Sequence, residues 1–224
     1  RLSGGATDAH DLSKVKKCLH ILKTHSRIEI DDNNNPENSL AFERNMEHPT
    51  VILLETWATE AVTLIRLGDA GNSESAIACA IEGLKVMKNA MILSFSVFMK
   101  EAYCSICEVF LFLYHEKKEM KDMNPEDLVE GGAGKFCVES KSMAEIAAFA
   151  EEALECVGKL SKKFPSVSCR FKAMGLLLSY NIGNIDNKTC AKGLRKLMAE
   201  TEKQKIRYDH AWISNYCMEM EKVK

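Results

Sequence analysis

Residues 50–88 read TVILLETWATEAVTLIRLGDAGNSESAIACAIEGLKVMK, and the spacing of their apolar side chains decides the fold. Val51, Leu54, Trp57, Ala61, Leu64 and Ile65 recur at three- and four-residue steps, the period of a helix that buries one face. Thr50 carries a hydroxyl suited to cap that helix, which the pattern carries to Leu67. Gly68 and Gly71 then break the periodicity, and Ser73 opens a second run with Ala76, Ala80, Gly83, Leu84 and Met87 on one side. Small residues there let two helices approach closely, and the short connection makes them an antiparallel hairpin.

The same grammar extends in both directions. Toward the C-terminus a helix from about Val167 to Tyr180, a break at Gly183 and a helix from Lys188 to about Lys205 make a second hairpin, followed by a last helix from Asp209 to Glu221. Between the hairpins, Met91 to Glu116 reads as one long apolar helix, and Lys117–Ser140, rich in charge and glycine, as a loop inserted over 117–141. Ser142 and Glu145 have the spacing of a capping box, in which each side chain serves the other's backbone N–H. The helix they open reaches Lys163 with Ile146, Phe149, Ala150, Ala153, Leu154 and Val157 apolar, and Phe164-Pro165 ends it. Upstream, Leu12, Val15, Leu19 and Leu22 mark a helix over about 11–25, and Asp31-Asp32-Asn33-Asn34-Asn35-Pro36 reads as a flexible polar loop. The expected organisation is therefore an N-terminal helix and loop over 1–48 and a helical-repeat domain over 49–224. Helix starts recur roughly every 40 residues, longer than the ~34 of a tetratricopeptide unit. The fold class is all-α, an array of antiparallel helical hairpins forming a TPR-like α-solenoid.

Composition narrows the function classes. Only 4 prolines interrupt 224 residues, which favours long helices. A formal net charge of -2 supplies no field to gather nucleic acid or an anionic membrane. Local clusters such as Lys14, Lys16 and Lys17, or Lys159, Lys162 and Lys163, read as solvated helix faces. The 9 cysteines are odd in number and lie mostly in apolar runs, as expected for buried thiols in a reducing, intracellular and cytoplasmic setting. Arg1 to Gly5 holds no signal-peptide core, and the missing initiator methionine suggests a piece of a longer parent. The most apolar stretch, Met91–Tyr114, is interrupted by Lys100, Glu101 and Glu108, so no membrane span is expected.

Candidate chemistry fails on residue type. Gly131-Gly132-Ala133-Gly134-Lys135-Phe136 imitates a phosphate loop, yet Val129 stands where the first glycine belongs and Phe136 where a magnesium-binding hydroxyl belongs. Cys104 and Cys107 form a C-x-x-C pair inside an apolar helix; Cys137 and His115 are the nearest further ligands and make no second pair. The six histidines, His10, His20, His25, His48, His115 and His210, are scattered. Acidic pairs such as Glu151 with Glu152 and Glu219 with Glu221 read as solvated faces, and no G-x-S-x-G elbow occurs. No catalytic residue, metal ligand or cofactor is expected of this segment.

Two segments resemble tetratricopeptide-type repeats. In the first, Gly71 precedes Ala76, Ala80 and Gly83; in the second, Phe164-Pro165 precedes Met174-Gly175-Leu176, Gly183, Ala191, Leu194, Ala199, Tyr208, Ala211 and Trp212. That order is similar to the late repeats of STAND-type signalling proteins and to the C-terminal region of soluble class III adenylyl cyclases. The Lys117–Ser140 insertion and Lys188, where a small residue is expected after Gly183, depart from the pattern and leave the register of the last repeat open. Nothing here resembles a cyclase's metal-binding aspartates, so the resemblance implies the non-catalytic, regulatory end of a cyclic-AMP signalling enzyme and admits a ciliary location. The expected partner is a protein, or other domains of the parent chain, received on the first helix of each pair. Glu55, Glu60 and Arg66 are the polar candidates on one such helix. A structural subunit of a large complex and a stand-alone helical enzyme are the alternatives.

Overall fold

The computed structural model describes residues 17–21, 24, 49–67, 70–89, 97–122, 138–164 and 167–222. Among them lie seven assigned helices: α1 Pro49–Leu67, α2 Ala70–Asn89, α3 Val97–Asp122, α4 Met143–Lys163, α5 Ser168–Asn181, α6 Asn187–Lys203 and α7 Arg207–Lys222. The described residues are helical and contain no strand, and none of their helices is long and apolar enough to cross a membrane. Of the helix expected over 11–25, residues 17–21 and 24 are helical, with Leu19 buried. The rest of that helix, the 31–36 loop and the Gly131–Phe136 phosphate-loop mimic lie outside the described residues.

The chain divides into two compact units. The first holds α1, α2, α3 as far as Val109, and Val138. Its core is the interleaved apolar face that the spacing predicts: Leu54, Ala61 and Leu64 from α1, Ala76, Ala80 and Leu84 from α2, Ile106 and Cys107 from α3. Gly83 is a point of close approach, because a Cβ there would lie 2.5 Å from Ile106 Cδ1 and 3.5 Å from Trp57 Cβ. Buried hydroxyls are satisfied within α1: Thr56 donates to Leu53 O at 2.7 Å and Thr63 to Thr59 O at 2.7 Å, the back-bonding that lets threonine sit inside a helix. Tyr103 Oη donates to Met87 O at 3.2 Å and ties α3 to the end of α2.

Two boundaries differ from expectation for local reasons. Thr50 is the second residue of α1 rather than its cap, because Pro49, which has no N–H to leave orphaned, takes the first position. Ser73 does not open α2 but is fully buried inside it; the helix starts at Ala70, and Gly71 falls in the first turn, where backbone N–H groups need no intrahelical acceptor.

The second unit holds α3 from Phe110 onward together with α4–α7. Here α3 runs six residues past its expected end at Glu116, to Asp122. Lys117, Lys118, Glu119 and Lys121 are good helix formers, and His115 Nε2 sits 3.2 Å from Glu119 Oε1 one turn on. Lys118 also has a tertiary role. Its Nζ donates to Asn181 O at 3.0 Å, satisfying a carbonyl at the end of α5, and lies 5.4 Å from the Tyr180 ring centroid.

From α4 on, each helix packs on the next, α4 on α5, α5 on α6 and α6 on α7, with a smaller contact of α5 with α7. The capping box at the start of α4 is complete: Glu145 N donates to Ser142 Oγ at 3.2 Å, and Ser142 N to Glu145 Oε2 at 2.8 Å. Helix α5 ends at a left-handed glycine, Gly183 (φ 84), with Asn184 N donating to Ser179 O at 2.9 Å and Gly183 N to Tyr180 O at 3.0 Å. Helix α6 ends the same way at Lys205 (φ 60), with Ile206 N donating to Thr201 O and Lys205 N to Glu202 O, both at 3.0 Å. Both are Schellman turns. Asp186 restarts the chain after the first, its carboxylate accepting from Thr189 N at 2.8 Å.

The two turns give a paired test. Gly183 has open space around its missing Cβ, so Gly183→Ala should lose about 1 kcal/mol through the backbone alone, whereas Lys205→Gly should gain up to about 1 kcal/mol, both read by urea unfolding. The caps give a second. The Glu145 carboxyl is held below its ordinary 4.5 chiefly by hydrogen bonds from Ser142, and that of Asp186 below 3.8 by those from Thr189. A depressed folded-state pKa stabilises above the unfolded value and ceases to as pH falls through the folded one. Between pH 6 and pH 3, Tm should therefore fall less in a Glu145→Gln/Asp186→Asn chain than in the parent.

Candidate functional site

Buried charge is rare in a helical core, and among the described residues it concentrates where α5, α6 and α7 meet. Arg170, in the first turn of α5, and Asp209, in the first turn of α7, each have a side chain only 5% exposed. The guanidinium aims two donors at one oxygen: Nε reaches Asp209 Oδ1 at 3.1 Å and Nη2 reaches it at 2.6 Å. Asp209 Oδ2 is buried without a hydrogen-bond partner among the described residues. The pair therefore links α5 to α7 across the start of both helices.

The groups around it are not arranged for chemistry. Cys169, beside Arg170, is 1% exposed. Burial pushes its thiol up, and the nearby Glu200 carboxylate adds to this while Lys172 opposes it. A thiol so placed stays protonated at neutral pH and is a poor nucleophile. Lys172 and Glu200 lie 3.7 Å apart at the partly exposed edge of the cluster. In α3, burial and the neighbouring Glu119 raise the Glu116 carboxyl, partly offset by His115. Neither place offers a nucleophile whose surroundings favour its reactive, ionised form.

The sequence candidates fall elsewhere. Glu55 and Glu60 are half-buried on α1 and Arg66 is exposed near its end. At about 100° per residue Glu60 is turned by roughly 140° from Glu55, and Arg66 lies about 16 Å along the axis from Glu55, so the three do not converge. Cys104 and Cys107 are buried in the first unit, as a structural role requires, at 1% and 0% exposure. No group of three or more His, Cys, Asp or Glu side chains is gathered for a metal ion among the described residues. On α7, Trp212 and Tyr216 lie one turn apart with ring centroids at 4.6 Å, and Met218 is an exposed apolar side chain beside them in sequence.

Sequence reading missed Arg170 and Asp209. A signal for the first existed: Arg170 stands in a run whose Cys169, Ala173, Met174, Leu177 and Leu178 all point inward. Its partner lies 39 residues away, beyond the reach of any local pattern. No protein-family model, curated protein or solved structure matches this chain.

Removing one member of a buried pair strands the other's charge, at a cost of about 3–5 kcal/mol, whereas replacing both by apolar residues is often close to neutral. Arg170→Met and Asp209→Leu should each lower the urea midpoint strongly, and the double variant should recover most of the loss. A double variant as unstable as the worse single would show that the pair has no such coupling.

Proposed function

We propose that the chain is a non-catalytic helical-repeat module that binds a protein partner or neighbouring domains of a larger parent. The observation that carries this reading is the order of packing in the second unit, where each of α4–α7 lies against the next in sequence. Such nearest-neighbour stacking of helices is the habit of repeat arrays, whose function is to present an extended surface. The matching Schellman turns after α5 and α6 support it, because a repeat array reuses one connection. On this reading α5 with α6 is a hairpin of a TPR-like solenoid, and α7 opens the next repeat.

The likeness to the C-terminal repeats of soluble adenylyl cyclases points to a regulatory role beside a catalytic domain. It rests on Phe164-Pro165, Gly183 and the stretch from Tyr208 to Trp212. In that setting the module would position or restrain the enzyme rather than take part in nucleotide chemistry. Trp212 and Tyr216 on α7 are then better partner-facing candidates than Glu55, Glu60 and Arg66, because their rings lie together one turn apart on one face.

The test has two parts. The pure chain with ATP and magnesium should release neither cyclic AMP nor phosphate; turnover above a heat-killed control would end the non-catalytic reading. A chain ending at Lys205 should keep α4–α6 folded, with helical circular dichroism reduced roughly in proportion to the α7 residues removed. Global loss of helicity would mean one cooperative core instead of an array.

A further inference from the structure

The pair α6–α7 carries two cysteines at one height. At one end, Asn187 Nδ2 donates to Met220 O at 3.0 Å, so the start of α6 meets the end of α7. At the other end the chain turns through Gln204, Lys205 and Ile206. Three residues in from the first contact lie Cys190 on α6 and Cys217 on α7; four further in lie Leu194 and Ile213. All four are buried, Cys190 at 0% and Cys217 at 5% exposure, at matching heights along the pair, and Cys217 is near enough to raise the Cys190 thiol. Packed helix axes are about 8–10 Å apart and Cα atoms sit about 2.3 Å from each axis, which leaves directly facing Cα atoms about 3.4–5.4 Å apart. A disulfide spans about 4.4–6.8 Å between Cα atoms.

We propose that Cys190 and Cys217 form a redox-responsive pair, which a small-molecule disulfide such as oxidised glutathione converts to an internal disulfide that staples α7 to α6. Neither thiol is in a disulfide in the structure. Cys217, the less buried of the two and on the last helix, gives up its proton and attacks one glutathione sulfur, expelling glutathione thiolate and leaving a mixed disulfide. Cys190 then loses its proton and attacks the Cys217 sulfur, expelling the second glutathione. The two protein thiols supply two electrons, one oxidised glutathione becomes two reduced ones, and the two released protons end on them. Cys190 is the poorer first nucleophile, because burial, with Cys217 as the next cause, pushes its thiol up to about 11 while its Sγ lies 3.8 Å from Leu176 O, so the first attack falls to Cys217. The device does not depend on what the module binds.

The whole chain, incubated with oxidised glutathione under native conditions and digested with trypsin, tests this by mass spectrometry. Expected is a peptide of residues 189–192 linked to residues 208–222, with a rise in Tm of about 5 °C that dithiothreitol reverses. Cys190→Ala and Cys217→Ala chains, with native helicity checked by circular dichroism, should each lack both the linked peptide and the rise. Glutathione retained on Cys217 without an internal bond would overturn the proposal. So would linkage of either residue to a different cysteine, or both thiols surviving conditions that oxidise the urea-unfolded chain.

Discussion

Helices that must bury an apolar stripe against their sequence neighbours depend first on how closely their backbones can come together. In the first unit that distance is set at Gly83, where Ile106 occupies the space a Cβ would need. In the second it is set at Gly193, where a Cβ would lie 2.7 Å from Leu176 Cδ1, and at Gly158, against the Phe171 ring at 3.0 Å. At each place the neighbour's side chain fills the notch, a ridge of one helix seated in a groove of the next. Ala76 and Ala80, seven and three residues before Gly83, lie on its face of α2 and continue the notch there. Dispersion attractions across such a notch are individually small and fall steeply with distance, so the glycines hold the helices where the rest of the apolar stripe is effective.

Apolar stripes alone leave rotation and sliding weakly specified. In the second unit polar contacts remove that freedom. Lys118 and Asn181 fix the end of α5 against α3, since Lys118 donates to Asn181 O and Asn181 Nδ2 donates to Leu111 O at 3.4 Å. Arg170 and Asp209 fix its start against α7. An ion pair of this kind adds little net stability over an apolar alternative, but a register that separates the charges strands both, which disfavours competing arrangements. Asp209 Oδ2 lacks a partner among the described residues, so the pair is under-satisfied, which fits a role in orientation more than in stability.

Much of this was readable from local pattern. The apolar periods at Val51–Ile65 and Ile146–Val157 gave the buried faces, and the Ser142–Glu145 spacing gave a helix start to the residue, because a capping box is chemistry among four consecutive positions. Gly183 marked the end of α5 because a left-handed turn favours glycine. Failures came where the apolar period gives no signal. Lys205 takes up the same left-handed conformation without a glycine to announce it, and α3 outlasts its apolar run on helix-forming charged residues, with Lys118 held by a partner 63 residues away. Sequence distance likewise hid Arg170 and Asp209, which are 39 residues apart, whereas Glu55, Glu60 and Arg66 share a helix but not a face.

The contrast between Gly183 and Lys205 bears on how the second unit is built. Two consecutive helices end in one hydrogen-bond pattern, yet only the first uses the residue that makes the pattern cheap. A non-glycine residue in the left-handed region costs roughly 1–2 kcal/mol, so the α6–α7 turn must be held by what surrounds it. The surroundings supply this: Ile206 N is bonded to Thr201 O, Thr201 is fully buried, and Asp209 is anchored by Arg170 three residues beyond Ile206. The buried ion pair and the strained turn are thus mechanically linked. The charge that places α7 on α5 also helps close a connection that its own sequence does not favour.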